Sequence, residues 1–284
     1  MSGPCRNSWP APAKINLFLR VVGRRPDGYH LLQTAFQFLD YGDAVRITPR
    51  DDGVVRLTDP IPGVPEDLDL TVRAAALLKQ VSGSPLGADI SVEKHLPMGA
   101  GLGGGSSDAA TTLLVLNRLW DLHLPQMHLA ELGLRLGADV PVFVHGRAAW
   151  AEGVGERLTP LDLPEPWYVV VVPPCHVSTA EIFAVPELTR NAPPLTIAAF
   201  LSGAGGNDCE AVVCRRHPEV GRVLAWLSGY APARMSGTGS AVYAAFADES
   251  RARRVAGAVP APWSGFAARG CNRSPLHERL TKET

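Results

Sequence analysis

The sequence predicts an α+β protein in two lobes, and three observations carry that reading. Segments rich in β-branched and aromatic residues are mixed with segments of helical spacing, without the regular strand–helix–strand rhythm of a doubly wound sheet. The chain has 284 residues, 46% of them hydrophobic, enough to fill one large core or two smaller ones. Residues 159–166 hold three prolines and mark the junction, which divides the chain into residues 1–160 and 161–284.

In chain order, residues 15–22 alternate branched and aromatic side chains and read as a strand. Arg24-Arg25-Pro26-Asp27-Gly28 has proline and Asp-Gly in turn positions. Residues 31–39 and 44–48 read as two more strands, with 54–57 weaker. Spacing predicts a helix over 70–81, and a short strand at 90–92 leads into a glycine-rich loop. Residues 106–120 form a strong helix, with Ser106, Ser107 and Asp108 as capping residues. A second helix over 127–136 ends at Gly137, and 138–144 reads as a turn into a strand. Past the junction, 168–172 is a buried strand and helices are expected at 180–183, 210–216 and 220–227. Residues 241–246 form a strand after the small-residue turn 236–240. The tail after Val259 has no readable pattern.

Composition excludes several classes of function. Net charge is −1, so neither a nucleic-acid footprint nor a polybasic membrane surface is expected. The five cysteines, Cys5, Cys175, Cys209, Cys214 and Cys271, are scattered and form no C-x-x-C pair. Neither a disulfide framework nor a zinc cluster is expected, and a reducing cytoplasm fits best. No apolar run reaches the length of a membrane span, and no apolar stretch near the N-terminus reads as a signal peptide. The expected partner is a small molecule.

The chemistry concentrates in Pro97-Met98-Gly99-Ala100-Gly101-Leu102-Gly103-Gly104-Gly105-Ser106-Ser107. Five glycines in seven positions leave the backbone bare, so phosphate oxygens can approach its N–H groups. The loop runs into a helix N-terminus, whose free N–H groups and positive dipole end favour an anion. No lysine follows the glycines, which excludes a Walker A loop. Gly99-Ala100-Gly101-Leu102-Gly103-Gly104 matches the Rossmann fingerprint by letter. Pro97, however, separates it from the preceding strand, and a helix follows where a second strand is needed. The protein-kinase motifs are absent.

The loop resembles that of the galactokinase, homoserine kinase, mevalonate kinase and phosphomevalonate kinase superfamily, the GHMP kinases. Pro12-Ala13-Lys14-Ile15-Asn16-Leu17 resembles their first motif and Ser236-Gly237-Thr238-Gly239-Ser240 their third. Within that superfamily, four stretches look like the 4-diphosphocytidyl-2-C-methyl-D-erythritol kinase family: Arg25-Pro26-Asp27-Gly28-Tyr29-His30, the loop itself, Gly137-Ala138-Asp139-Val140-Pro141-Val142-Phe143, and Asn207-Asp208. The motifs cover roughly residues 10–250 in order. The resemblance implies the two-domain GHMP fold. Its N-terminal domain, of ribosomal-protein-S5-like type, holds the ATP loop and catalytic pair. A smaller C-terminal α/β-plait lobe completes it, with the substrate in the cleft between.

What the resemblance implies for function follows residue by residue. The family uses ATP, with Mg²⁺ carried on the nucleotide, to phosphorylate the 2-hydroxyl of a cytidine diphosphate-linked methylerythritol on the route to isoprenoid precursors. Asp139 sits at the position of the catalytic base and Lys14 at that of the catalytic lysine, whose ammonium complements the carboxylate and stabilises charge developing on phosphate. Residues 97–107 would hold the nucleotide, with Leu70 at the adenine and Ser107 nearest the Mg²⁺. No protein metal site is implied. Asn16, two residues beyond Lys14 on a strand, shares its face and would reach the substrate. Tyr29 and Phe183 would stack on the two faces of the cytosine while His30 reads its edge. Lys94, Thr179, Gly237 and Thr238 complete the substrate group. A monomer or weak homodimer is expected, cytoplasmic in a bacterium, or in the plastid stroma if a transit peptide is removed. Three residues depart from the family pattern: Ala100 for a frequent glycine, and Asp108 and Asp69 for frequent asparagines. Two rival readings stay open: a GHMP kinase for mevalonate, phosphomevalonate or homoserine, and a non-catalytic ATP-binding sensor. Tyr29, His30 and Phe183 speak against the first, Lys14 and Asp139 against the second.

Overall fold

Two long antiparallel strands, β1 (Ser8–Arg24) and β2 (His30–Arg50), frame the first half of the chain. The structure is a computed structural model and describes residues 7–282, so Cys5 lies outside the described residues. The remaining strands are β3 (Val55–Leu57), β4 (Gly87–Glu93), β5 (Ala149–Glu152), β6 (Arg157–Pro160), β7 (Trp167–Val172), β8 (Ala233–Met235), β9 (Val242–Phe246) and β10 (Ser264–Cys271). The helices are α1 (Leu70–Ser82), α2 (Gly104–Leu119), α3 (Gln126–Leu134), α4 (Val140–His145), α5 (Thr179–Ala184), α6 (Ile197–Leu201), α7 (Glu210–Arg216), α8 (Pro218–Ser228), α9 (Glu249–Gly257) and α10 (Pro275–Lys282).

The two strands expected at 31–39 and 44–48 are one continuous strand, β2. Gly42 makes that possible, because a Cβ there would lie 2.2 Å from the Ala11 carbonyl oxygen of β1. Pairing shifts register between Pro12 and Lys14, from Pro12 opposite Gly42 to Lys14 opposite Phe38. Such an irregularity re-aims the next side chain, and here that side chain is Lys14.

The main path of the sheet runs β3-β4-β2-β10-β7-β9-β8, with β1 and β5 also pairing with β2. Its pairs are antiparallel except β3 with β4. One core packs α1, α2, α3 and α4 against the first half of the sheet, through Leu78, Leu113, Leu116, Leu129 and Phe143. A second packs α7, α8 and α9 against β7 and β9, through Val213, Val223, Leu227 and Val255. Along β7, Val169 and Val171 enter that second core while Tyr168, Val170 and Val172 point the other way, the period of two that a strand imposes. These face Leu96, Ala100 and Leu102, so a third core lies beneath the glycine loop.

The structure corrects two further expectations and fills in the unread tail. Residues 138–144 do not turn into a strand: α4 is a helix, and Pro141 in its first turn has no N–H to lose there. Val140, Val142, Phe143 and Val144 are all buried, so no polar face betrays the helical period. The N-cap of α2 is Gly103 in the left-handed region, and Ser106, Ser107 and Asp108 lie inside the helix rather than capping it. The unread tail forms β10, which joins β2 to β7, and α10, whose Leu276 enters the first core. The C-terminal residues therefore pack on both the first and the second core.

Candidate active site

Three segments distant in sequence are tied together by main-chain contacts. Lys14 N donates to Leu102 O at 2.9 Å, fixing the glycine loop to β1. Ala241 N donates to Ala100 O at 3.0 Å, and Ser236 Oγ donates to Gly101 O at 2.9 Å while accepting from Asn16 N at 3.1 Å. Asn207 Nδ2 donates to Met235 O and Gly237 O, at 3.0 and 2.7 Å. The 236–240 turn is thus clamped from both sides.

At this junction Lys14 is buried, at 3% exposure, and its Nζ has two polar partners. It lies 3.1 Å from Asp139 Oδ2, donates to Asn16 Oδ1 at 2.6 Å, and sits 5.1 Å from the centroid of the Phe36 ring. Asn16 Nδ2 donates to Thr34 Oγ1 at 2.9 Å, which orients its oxygen towards the ammonium. Asp139 precedes α4 at the N-cap position but makes no capping bond. Its carboxylate is 36% exposed and lies against Lys14 on one side with solvent on the other.

Two clefts meet here. The larger, about 740 Å³, is lined by Lys14, Asn16, Tyr29, His30, Thr34, Phe36, Phe183, Gly237 and Thr238. The smaller, about 440 Å³, is lined by Asp69, Leu70, Lys94, Pro97, Met98, Asp108 and the loop from Gly99 to Ser106. Gly101, Ser106, Asp139 and Thr179 line both. A donor in one cleft and an acceptor in the other would therefore meet beside the Asp139 carboxylate. Thr179 and Thr238 share a hydrogen bond of 2.7 Å that ties α5 to the third motif.

Gly103 sits at φ +74°, and an added Cβ would lie 2.8 Å from Phe143 Cζ and 3.1 Å from Lys14 Cε. The glycine is needed so that the loop can lie on the Lys14 stem. Gly103→Val is expected to destabilise the fold by about 2–4 kcal/mol, from left-handed strain and overpacking, and to weaken ATP binding. An unchanged Tm with unchanged ATP affinity by calorimetry would contradict this packing role. Ala100 is buried and, unlike the neighbouring glycines, is not in the left-handed region, so its methyl is accommodated. Ser107 lines neither cleft; it is fully buried and its hydroxyl lacks a partner among the described residues.

Lys94 lines the smaller cleft, not the larger one where substrate contacts were expected. Its ammonium bridges Asp43 and Asp108, the latter at 2.9 Å. Asp43 also accepts from the main-chain N–H groups of His95 and Leu96, at 2.6 and 2.7 Å. Burial pushes the Asp108 carboxyl up to about 7; Lys94 opposes that rise and Asp43 adds to it. The folded chain therefore holds a proton on Asp108 that the unfolded chain has released. Stability from this group is present below pH 4 and is lost as pH rises through about 7. Asp108→Asn, which has nothing to ionise, is expected to raise Tm by a few degrees at pH 8, with the gain shrinking towards pH 5. Parallel Tm profiles for the two proteins would contradict this. Asp69 has a structural reason to be acidic: it caps α1, accepting from Thr71 N at 2.8 Å.

The far end of the larger cleft is aromatic. Tyr29 is 63% exposed. The Phe183 ring lies on His30, with centroids 4.8 Å apart and 19° between planes. Tyr29, His30 and Phe183, expected from sequence around the cytosine, line this same cleft. Thr34, Asp43 and Arg190 were missed. A buried threonine and aspartate on β2 resemble any other, and Arg190 lies in an irregular connection.

Comparison with known proteins gives consistent matches. The model of the GHMP kinases N terminal domain matches residues 69–147, and that of the GHMP kinases C terminal domain matches residues 184–265. A 4-diphosphocytidyl-2-C-methyl-D-erythritol kinase of Nitrosococcus oceani is 57% identical over 274 residues, covering 96% of this chain and 98% of the relative. One of Pseudomonas aeruginosa is 56% identical over 275 residues, covering 97% and 98%. The crystal structure of a 4-(cytidine 5'-diphospho)-2C-methyl-D-erythritol kinase superposes with a TM-score of 0.82 at 37% identity, covering 93% of this chain and 98% of that one. A mevalonate kinase structure, at 14% identity and a TM-score of 0.67 over 94% of this chain and 99% of that one, shares the fold.

Proposed function

The chain belongs to the 4-diphosphocytidyl-2-C-methyl-D-erythritol kinase family of the GHMP kinases, and we propose that it transfers the γ-phosphoryl group of ATP to the 2-hydroxyl of that cytidine-bearing substrate. The observation that carries the proposal is the Lys14–Asp139 pair, 3.1 Å apart where the two clefts join.

The residues of the smaller cleft suit a nucleotide. The bare glycine loop and the first turn of α2 line it, a backbone suited to offering N–H groups to phosphate, and Leu70 with Ile61, Val64 and Met98 supplies an apolar wall for adenine. Among the described residues no group of His, Cys, Asp or Glu forms a metal cage; Mg²⁺ would arrive on the nucleotide, which supplies the phosphoryl group. Asp139 accepts the proton of the attacking hydroxyl. Lys14 holds Asp139 in place and stabilises the negative charge developing on the phosphoryl oxygens. Asn16 and Thr34 keep the ammonium directed at the seam. Among the described residues no helix is long and apolar enough to cross a membrane, and a cytoplasmic setting is part of the proposal.

The aromatic end of the larger cleft is assigned to the cytosine. Stacking on an aromatic side chain is worth about 1–3 kcal/mol per base. Tyr29→Ala and Phe183→Ala are therefore each expected to raise the substrate Kd by roughly ten- to a hundredfold, with ATP affinity unchanged. Equal weakening of both ligands in a still-folded variant, or of neither, would make a base-free substrate such as mevalonate the better reading.

A further inference from the structure

Arg190 lies in the connection between α5 and α6, outside both clefts. All five of its N–H donors are engaged. Nη2 donates to Phe183 O at 2.8 Å and Val185 O at 2.7 Å, and Nη1 to Pro186 O at 3.2 Å and Leu188 O at 3.0 Å. The fifth donor, Nε, points at Nε2 of His30 at 3.1 Å. Among the described residues no carboxylate pairs with this guanidinium.

A guanidinium has no acceptor and does not deprotonate in proteins. The His30 nitrogen that faces it must therefore present a lone pair. A neutral imidazole with an accepting Nε2 carries its hydrogen on Nδ1, and Nδ1 has no hydrogen-bond partner among the described residues. His30 lines the larger cleft and is stacked on Phe183. We propose that Arg190 is a positioning residue that fixes His30 as the Nδ1–H tautomer, so that the cleft offers its ligand a hydrogen-bond donor beside an aromatic face. Resting on the nucleobase assignment above, that donor matches the unprotonated N3 or the O2 of cytosine. Uracil, whose N3 carries hydrogen, lacks the first of these acceptors.

The charges around His30 support a neutral ring. Arg190 faces it from the connection and Arg24 from the end of β1. Asp27, in the turn before β2, is paired with Arg25 at 2.7 Å, and α5 contributes only the Phe183 ring. Burial first, then Arg190 and Arg24, hold the His30 imidazole below its ordinary value. Recognition through a neutral His30 therefore persists to lower pH than an ordinary histidine would allow.

The test is the tautomer of His30 in the full-length, ligand-free protein, by long-range ¹H–¹⁵N NMR correlation with His30→Gln to assign the signal. The expected result is the Nδ1–H form, with a protonation midpoint below that of an ordinary histidine. In Arg190→Leu the protonation midpoint should rise and the Nε2–H form should appear. The KM for the cytidine substrate should rise about three- to tenfold, the worth of one hydrogen bond, with kcat and the KM for ATP within about twofold. Arg190→Lys keeps a charge but cannot reproduce five donors, and it should show an intermediate tautomer ratio. An Nε2–H ring in the unaltered protein overturns the proposal even if the cytidine substrate is turned over. An Nδ1–H ring without turnover of that substrate counts against the nucleobase assignment and leaves the tautomer assignment standing.

Discussion

Asp139→Asn is expected to lower kcat by about 10²–10⁴-fold, the usual worth of a positioned proton acceptor, with Tm and ATP affinity close to those of the unaltered protein. The side chain sits ahead of α4 but makes no capping bond, so its loss does not unpin the helix. The asparagine carbonyl can still accept from Lys14, which keeps Asn16 as a second partner at 2.6 Å. Only the ability to take a proton is removed. Steady-state kinetics at saturating ATP check it, and a kcat within a few-fold of normal would take Asp139 out of the role of base.

Lys14→Met should cost about 10²–10³-fold in kcat, by analogy with removal of one preorganised donor to a developing anion. Methionine keeps the unbranched stem that lies against Phe36 and Gly103, and it is apolar enough for a site at 3% exposure. The change leaves Asn16 Oδ1 without its donor, so a modest fall in Tm is expected as well. Because Lys14 and Asp139 act on the same event, the double variant should lose much less than the product of the two single losses. Strictly multiplicative losses would indicate that the two residues act independently.

The parts of the molecule most legible in the sequence were those where one residue type answers one physical demand. Bare glycines before a strong helix marked the loop, and the strand period put Lys14 and Asn16 on one face. Residues whose meaning depends on a distant partner were not legible. Asp139 alone reads as a turn residue and gains a role only when β1 brings Lys14 to 3.1 Å. Gly103 was assigned to phosphate clearance, whereas the structure also places Phe143 and the Lys14 stem against it. The misread α4 is a helix with no exposed face, where β-branched composition outweighs an absent period. β10, with the sequence Ser-Gly-Phe-Ala-Ala-Arg-Gly-Cys, has too few large apolar residues to show alternation. Its place is set by pairing with β7 and β2, partners far away in sequence that no local pattern records. From the sequence, Asp108 reads as a helix cap and a departure from the family's frequent asparagine. Lys94, fourteen residues earlier, and Asp43 on β2 change that reading, because together with burial they leave Asp108 half-protonated near neutrality.

The central claim is that this active site acts on a cytidine-bearing alcohol. It is tested most directly by offering the purified enzyme ATP and Mg²⁺ with 4-diphosphocytidyl-2-C-methyl-D-erythritol, mevalonate or homoserine, and following ADP release. Turnover of the cytidine substrate, with the other two at background, is the predicted result. Faster turnover of mevalonate or homoserine, or ATP binding without turnover of any of the three, would contradict it.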